Sequence, residues 1–187
     1  MKEILYTVSD TIAQTYDPVY EAGTTKQKVY FAVKLAKKLG MTKEEQDNLK
    51  LAMLLYDIGN TMIPDEIFKS PNKLSSKEQK LVHKHPVIAA KEILKPISSI
   101  SEVIPIIENH HENWDGSGYP NKLSGDSIPM SSQIVLLIDS YCALIKPRSY
   151  RSALTRTESL ATIKGGAGKK WNKDLVDMFI EMMNDER

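Results

Sequence analysis

The sequence predicts an all-α fold, a single-domain helical bundle with one long irregular loop. Apolar residues recur at three- and four-residue steps between Val29 and Leu39, and Gly40 follows as a helix stop. Ser/Thr-x-x-Glu patterns mark helix starts, and the alternating pattern of strands is hard to find. The chain has 187 residues, enough to bury a sizeable core, so we expect one domain over residues 1–187.

The predicted helices follow one another along the chain. An N-terminal helix is expected over residues 1–16, and the next ends at Gly40. The capping patterns Thr42–Glu45, Ser75–Glu78 and Ser99–Glu102 predict helices that begin near residues 43, 76 and 100. Residues 131–145 and 174–183 are also helical in pattern. Residues 113–129 collect three glycines and two prolines, and a loop of this length in a compact domain is usually functional.

Composition and charge exclude several classes of protein. The formal net charge is +1, so we expect no general attraction to nucleic acid or membranes. The longest aliphatic run, residues 134–138, is far shorter than the roughly 20 residues of a membrane span. Cys142 is the only cysteine, so no intrachain disulfide can form. The first residues lack the apolar core of a signal peptide, and we expect a cytoplasmic protein.

Five side chains stand out as candidate metal ligands. His110 and His111 are adjacent, at the end of the helix expected from residue 100 and directly before the long loop. His85 is expected in the middle of a helix, while Asp57 follows an apolar helical run and Asp139 interrupts another. A buried carboxylate needs a partner or a cation. Together these residues form a mixed nitrogen and oxygen set that suits Mn, Fe, Ni or Zn.

Simpler interpretations remain open for each candidate. A histidine pair at a helix end is often only a surface feature, and either aspartate can be a helix cap or half of an ion pair. His83, flanked by lysines, is expected to be solvated. The Gly-Gly-Ala-Gly-Lys-Lys run at residues 165–170 is not a phosphate loop, because no Ser or Thr follows the lysine and no strand precedes it.

The run HHENWDGSGYPNKLSGDSIP, residues 110–129, matches at every fixed position the signature His-His-Glu-x-x-Asp-Gly-x-Gly-Tyr-Pro-x-x-Leu-x-Gly-x-x-Ile-Pro. Further similarity lies in LLYDIGNTMIPDEI, HPVIAAKEIL, IVLLIDSYCAL, RSYR and GAGKKWNKDLVDMFI. The chain therefore resembles, over residues 17–187, the HD-GYP domains. These are bacterial cyclic di-GMP phosphodiesterases within the HD superfamily of metal-dependent phosphohydrolases.

The chain departs from the HD-GYP pattern at positions that carry chemistry in the family. Thr25 stands where the family has its first metal histidine, and Tyr56 replaces the histidine of the His-Asp pair. Asn60 replaces a lysine that reaches a substrate phosphate. Cys142 replaces the second aspartate of an Asp-x-x-Asp motif, and Gln133 replaces an arginine. The resemblance thus implies a degenerate catalytic site.

By resemblance, the lost histidines belong mainly to one of two metals. The other metal would keep Asp57, His85, His110 and His111, and Asp139 also remains. Two adjacent metals normally hold a bridging hydroxide and clamp both oxygens of the reacting phosphodiester. Tyr56 is a poor substitute ligand, because a phenol with its usual pKa of about 10 is neutral near pH 7. We therefore expect one divalent metal (Fe, Mn, Ni or Zn) and no di-metal centre.

Three functional hypotheses follow. The preferred one is a signalling or scaffold module without efficient phosphodiesterase activity, which contacts a GGDEF-domain cyclase through the Gly-Tyr-Pro loop or binds cyclic di-GMP without cleaving it. The second is a cyclic di-GMP phosphodiesterase with a reduced metal shell, and the third a purely structural helical domain. The candidate ligand and partner residues are Asp115, Gly116, Gly118, Tyr119, Pro120 and, as phosphate contacts, Arg148 and Arg151.

Overall fold

The computed structural model describes residues 2–16, 21–69, 73–147 and 152–185, which are helical and contain no strand. The predicted all-α fold is confirmed. The α-helices of the described residues are α1 (Lys2–Tyr16), α2 (Thr24–Lys38), α3 (Lys43–Leu55), α4 (Asp65–Lys69), α5 (Ser76–Val82), α6 (His85–Ile88), α7 (Ile104–Glu108), α8 (Met130–Leu144), α9 (Arg156–Gly165) and α10 (Lys173–Asn184). A π-helical turn, Ala89–Leu94, extends α6, and 3-10 helices cover Ile58–Met62, Ser98–Val103 and Gly125–Ser127.

Helix starts agree with the sequence patterns in two of three cases. Capping boxes form at Thr42 before α3 and at Ser75 before α5. The box predicted at Ser99 is wrong, because a 3-10 helix without a side-chain cap covers this segment, and Ile100 has a non-helical backbone (φ −122°). The α-helix expected from residue 100 therefore begins only at Ile104. A further capping box forms at Thr155, before α9.

The core lies between α2, α3, α8 and α10. Helix α8 is apolar on nearly all sides, and the whole run from Ser131 to Ile138 is buried. A helix that is hydrophobic all round belongs in the interior of its fold, so α8 is the central element. Asp139 directly follows this buried run on α8. No helix among the described residues is both long and apolar enough to cross a bilayer.

Helix α1 is attached to the start of α2 by a carboxylate. Gly23 occupies the cap position of α2 and has no side chain to cap the helix. The carboxylate of Asp10 replaces that cap: it accepts hydrogen bonds from the backbone N–H groups of Gly23 (2.8 Å) and Thr25 (3.2 Å). Capping of this kind stabilises a helix by about 1 kcal/mol. It also places α1 directly over Thr25.

The long loop is held against the turn that precedes α10. The backbone N–H groups of Trp114 and Asp115 donate to the carbonyls of Lys170 (3.1 Å) and Lys169 (2.9 Å). Gly118 is buried, and a Cβ at this position would lie 2.3 Å from the Asn113 nitrogen and 2.5 Å from the His111 oxygen. Only glycine fits there. The loop is thereby packed next to the adjacent histidines.

Candidate metal centre and nucleotide cleft

Three histidines converge at one point of the structure. His110 and His111 lie in the turn after α7, as expected, but His85 is the first residue of α6 and does not lie in the middle of a helix. Pro86 explains this, because proline is favoured in the first turn of a helix and disrupts its interior. The potential ligand atoms of the three histidines all lie within 4.8 Å of one another.

The hydrogen bonds of two histidines fix their tautomers. Nδ1 of His85 lies 2.8 Å from the Val82 carbonyl, and Nδ1 of His110 lies 2.6 Å from the Ile107 carbonyl. A carbonyl can only accept, so each Nδ1 carries the proton and, in the neutral ring, each Nε2 offers a lone pair. These two Nε2 atoms lie 3.2 Å apart. Two lone pairs facing each other at this distance repel unless a cation or a proton lies between them.

Burial keeps the imidazoles in the form that binds metals. Desolvation, followed by the neighbouring His85, lowers the pKa of His110 to about 3. Desolvation also holds the pKa of His111 well below its usual range, with His110 and His85 adding to the effect. Metal ions bind the neutral imidazole, so a site with depressed pKa values is prepared to bind metal at neutral pH. The donor set therefore fits a transition metal or zinc.

Asp57 lies beside the histidine cluster. It follows the end of α3, just before the 3-10 helix Ile58–Met62, and its Oδ1 is 3.8 Å from Nε2 of His85. The carboxyl is half-buried, and desolvation raises its pKa. Asn60 donates a weak bond to the same oxygen (3.3 Å). Asp57 is thus the carboxylate next to His85, although it lies past the helix on which the sequence placed it.

A second group of polar side chains lies next to Asp57. Lys28 donates to Oδ1 of Asp139 and to the Tyr56 hydroxyl, both at 2.6 Å, and the Tyr56 hydroxyl donates to the same Asp139 oxygen at 2.7 Å. Burial opposes ionisation of Asp139, but the adjacent ammonium holds its pKa well below the usual range. Asp139 is therefore an ionised partner of Lys28, the ion-pair alternative considered for it from the sequence.

A cleft of about 520 Å³ opens beside the histidines. Its lining residues include His111, Tyr119, Asp139, Lys170 and Trp171. The Lys170 ammonium donates to the Ser140 hydroxyl at 3.0 Å, and desolvation lowers its pKa. The volume suits a ligand of small-molecule size, with a cation and aromatic rings at its wall.

Tyr119 of the long loop packs against the histidine cluster. Its ring stacks on His111 (centroids 4.8 Å apart) and on His83 (4.0 Å). His83 is exposed, as expected for a solvated residue, but the structure adds its stacking on Tyr119. Gly118 is buried and Tyr119 half-buried. These two residues therefore line the site and contribute little to the outer surface of the loop.

The other loop residues have different surroundings. Asp115 is exposed and accepts from the backbone N–H (2.9 Å) and the hydroxyl (2.6 Å) of Ser117. Gly116 adopts a left-handed backbone (φ 79°), and Pro120 follows Tyr119 through a cis peptide bond. Arg148 and Arg151, predicted as phosphate contacts, lie outside the described residues.

Sequence reasoning missed Lys28, Lys170 and Glu112. Lys28 follows Thr25 by three residues and so lies on the same helix face, which is the signal that could have indicated it. Lys170 belongs to the glycine-rich run of residues 165–170, for which the phosphate-loop interpretation was rejected. Only the fold places this lysine at the cleft. Glu112 is buried and accepts from the Asn121 backbone N–H at 2.6 Å, which closes the loop from inside.

Comparison with known proteins gives consistent results. The family model described as "HD domain" matches residues 7–175. The chain is 32% identical over 182 residues to the 3'3'-cGAMP-specific phosphodiesterase 2 of Vibrio cholerae, which covers 96% of this chain and 34% of that protein. It is 30% identical over 159 residues to a cyclic di-GMP phosphodiesterase of Thermotoga maritima, which covers 84% of this chain and 43% of that protein. The chain thus spans less than half the length of these relatives.

Solved structures share the fold. A cyclic GMP-AMP specific phosphodiesterase of V. cholerae superposes with a TM-score of 0.75 at 17% identity, over 98% of this chain and 48% of the other. An HDG"Y"P protein of Bdellovibrio bacteriovorus superposes with a TM-score of 0.69 at 21% identity, over 86% of this chain and 51% of the other. With the family match over most of its length and the HD-GYP arrangement of its helices, the chain belongs to the HD domain family.

Proposed function

We propose that this domain is a cyclic dinucleotide-linked signalling module that holds one divalent metal and lacks efficient phosphodiesterase activity. The observation that carries the proposal is the pair of Nε2 atoms of His85 and His110, 3.2 Å apart with their lone pairs facing each other. His111 belongs to the same histidine cluster, and Asp57, with Oδ1 3.8 Å from Nε2 of His85, is the fourth ligand that we propose. Iron, manganese, nickel or zinc suits this set.

A cation bound at this set would act as a Lewis acid toward a phosphate oxygen. The chain's own residues limit what can follow. Thr25 and Tyr56 offer no imidazole for a second metal, and Asn60 puts a neutral amide where a cation would stabilise the charge of the transition state. The Asn60 side chain instead turns one end toward Asp57. A phosphate can therefore be held here with little stabilisation of the transition state.

The cleft suits a nucleotide ligand. Lys170 supplies a positive charge for a phosphate, while Trp171 and Tyr119 supply aromatic surface for a base. The two relatives described above are named for cyclic di-GMP and for 3'3'-cGAMP. Both dinucleotides are therefore candidate ligands of this chain, with cyclic di-GMP the one expected from the sequence. The expected cytoplasmic location remains a prediction.

A protein partner, such as a GGDEF-domain cyclase, is a second part of the proposal. The buried Gly118 and the stacked Tyr119 are unsuitable sites for testing it, since replacing either would disturb the histidine cluster. Lys122 and Asp126 are exposed loop positions. Charge reversal of both, Lys122→Glu with Asp126→Lys, should abolish capture of the partner, whereas Lys95→Glu, an exposed position outside the loop, should not. Unchanged capture by the loop variant would remove the partner from the proposal.

The decisive experiment combines turnover and binding. Protein loaded with Mn²⁺ or Fe²⁺ is incubated with cyclic di-GMP or 3'3'-cGAMP, and linear dinucleotide and mononucleotides are followed by chromatography. Calorimetry in parallel measures binding of each dinucleotide. We expect metal-dependent binding with no turnover above the His110→Ala control. Turnover that the control abolishes would establish the rival function, a phosphodiesterase with a reduced metal shell. Absence of both metal and nucleotide binding would leave the structural domain.

A further inference from the structure

The ammonium of Lys28, the Tyr56 hydroxyl and the Asp139 carboxylate form a hydrogen-bonded triangle. Lys28 donates to Asp139 and to Tyr56 at 2.6 Å each, and Tyr56 donates to Asp139 at 2.7 Å. The Lys28 side chain is only 11% exposed. The ammonium also lies 5.3 Å from the centre of the Tyr56 ring, a distance at which a cation is attracted to an aromatic face. Three elements, α2, the end of α3 and α8, therefore meet at one fixed positive charge.

This triangle satisfies the groups that a second metal would use. The Tyr56 oxygen accepts from Lys28 and gives its proton to Asp139, so it is not directed at any additional cation. The Asp139 carboxylate already has a cation within hydrogen-bond distance. A carboxylate that is partly withdrawn from water is stabilised by a compensating charge, and Lys28 provides it. A metal that used Oδ1 of Asp139 would have to displace an ammonium that is already desolvated and paired.

On the side that faces Thr25 and α1, the space beside Lys28 is nearly full. A cavity of about 10 Å³ remains between α1 and this part of the site, and its lining includes Ser9, Thr25, Lys28, Tyr56 and Asp57. That is about the room of one water molecule. Helix α1 closes the cavity from outside, held there by the Asp10 cap on α2. Between Thr25 and Tyr56, space for a hydrated cation would appear only if the Lys28 side chain were removed or moved.

We infer that Lys28 is a built-in replacement for the second metal cation, and that this lysine, together with the loss of two histidines, keeps the site at one metal. The inference rests on the proposed one-metal function. It has a specific consequence: restoring the two histidines alone does not restore the second metal. The Lys28 ammonium still lies at the position of that metal and supplies the positive charge there. Asp139 becomes available as a ligand only when Lys28 is removed or given another carboxylate.

Two substitutions can release Asp139. Lys28→Ala removes the ammonium. Cys142→Asp keeps the lysine but adds a carboxylate three residues after Asp139, on the same face of α8. The buried Cys142 thiol is close enough to Lys28 for the ammonium to influence its pKa. This second variant serves if the first does not fold, because it retains the cation.

The test counts metals per chain. Each variant is stripped of metal, incubated with excess Mn²⁺ and desalted, and its manganese content is measured by elemental analysis. Electron paramagnetic resonance reports whether two Mn²⁺ ions are coupled. We expect one metal in the unaltered chain and one in Thr25→His/Tyr56→His. Adding Lys28→Ala or Cys142→Asp to that pair should give two metals and a coupled signal, whereas adding Lys26→Ala, an exposed lysine of the same helix, should leave one.

The outcomes separate the two proposals. Two metals in Thr25→His/Tyr56→His with Lys28 intact would overturn the role of Lys28 and leave the one-metal function of the natural chain untouched. One metal in folded variants that carry Lys28→Ala and Cys142→Asp would also overturn it. An unaltered chain without metal would refute the proposed one-metal function. The Lys28 inference would then be decided by whether these variants gain a metal over the histidine pair alone.

Discussion

His85, His110 and His111 on one side of the site and Lys28, Tyr56 and Asp139 on the other lie close together but differ in how their polar atoms are paired. In the histidine half, two Nε2 lone pairs face each other at 3.2 Å. In the lysine half, an ammonium, a phenol and a carboxylate bond one another at 2.6 to 2.7 Å. In the histidine half a metal or a proton would relieve this repulsion, whereas the lysine half already contains a cation.

This difference shows how a two-metal arrangement can become asymmetric. Burying several lone pairs next to one another costs free energy unless a proton donor or a cation lies between them. When the positive charge is an amino acid side chain, the ligands around it become its hydrogen-bond partners and no longer attract metal. Where no such side chain reaches, the requirement for a metal persists.

The largest effect is expected from His110→Ala. Removing a direct ligand should weaken metal binding by more than about 100-fold, the upper range found for mere outer-shell partners. Titration of the stripped protein with Zn²⁺ or Mn²⁺ in a calorimeter measures this. His83→Ala is the matched control, since His83 is exposed and stacks only on Tyr119 in this region. Equal affinities in the two variants would show that the histidine half is not a metal site.

Gly118→Ala should disturb the loop that closes the histidine half. Its Cβ would lie 2.3 Å from the Asn113 nitrogen and 2.5 Å from the His111 oxygen, and overpacking against backbone costs about 3 kcal/mol. Denaturant unfolding, with and without metal, measures the loss. Gly165→Ala is the control, because nothing lies within 4 Å of its Cβ position. Similar stabilities for both variants would contradict the close packing of the loop.

Lys28→Met should destabilise the lysine half by leaving Asp139 without its cation. We expect a loss of about 2 kcal/mol, less than the full cost of breaking a buried pair because the Asp139 carboxyl is 30% exposed. The double variant Lys28→Met/Asp139→Asn should recover part of this loss, since no unpaired charge remains. Urea unfolding of the metal-free proteins compares them. A double variant that is less stable by the sum of both single losses would argue against the pair.

The smallest effect, taken per pH unit, is a pH dependence of the metal-free protein. The unfolded chain protonates His110 below about pH 6.5, whereas the folded chain does so only near pH 3. The unfolded state therefore binds more protons in this window, and stability falls as pH drops, by up to about 1.4 kcal/mol per pH unit for this group. Unfolding at several pH values should show a shallower fall in His110→Gln than in the unaltered chain.

Much of the fold could be read from the chain. The periodicity of residues 29–39 and 131–145 and the capping patterns at Thr42 and Ser75 correspond to α2, α8, α3 and α5. The prediction failed at Ser99, where the local pattern was present but the backbone turns at Ile100. A capping pattern describes only four residues, and the packing of the apolar residues around it decides whether the helix forms there.

The sequence by itself determined the all-α class, the position of the long loop, and the chemical identity of the candidate ligands, because these depend on local periodicity and residue type. Only the tertiary structure decided that Lys28 meets Asp139 across 111 residues, that Tyr119 stacks on His111, and that Lys170 reaches the cleft. Such contacts join distant segments through a shared core, and no local pattern encodes which polar side chains that core will bring together. The charge balance of the site, and with it the expected metal count, follows from those contacts.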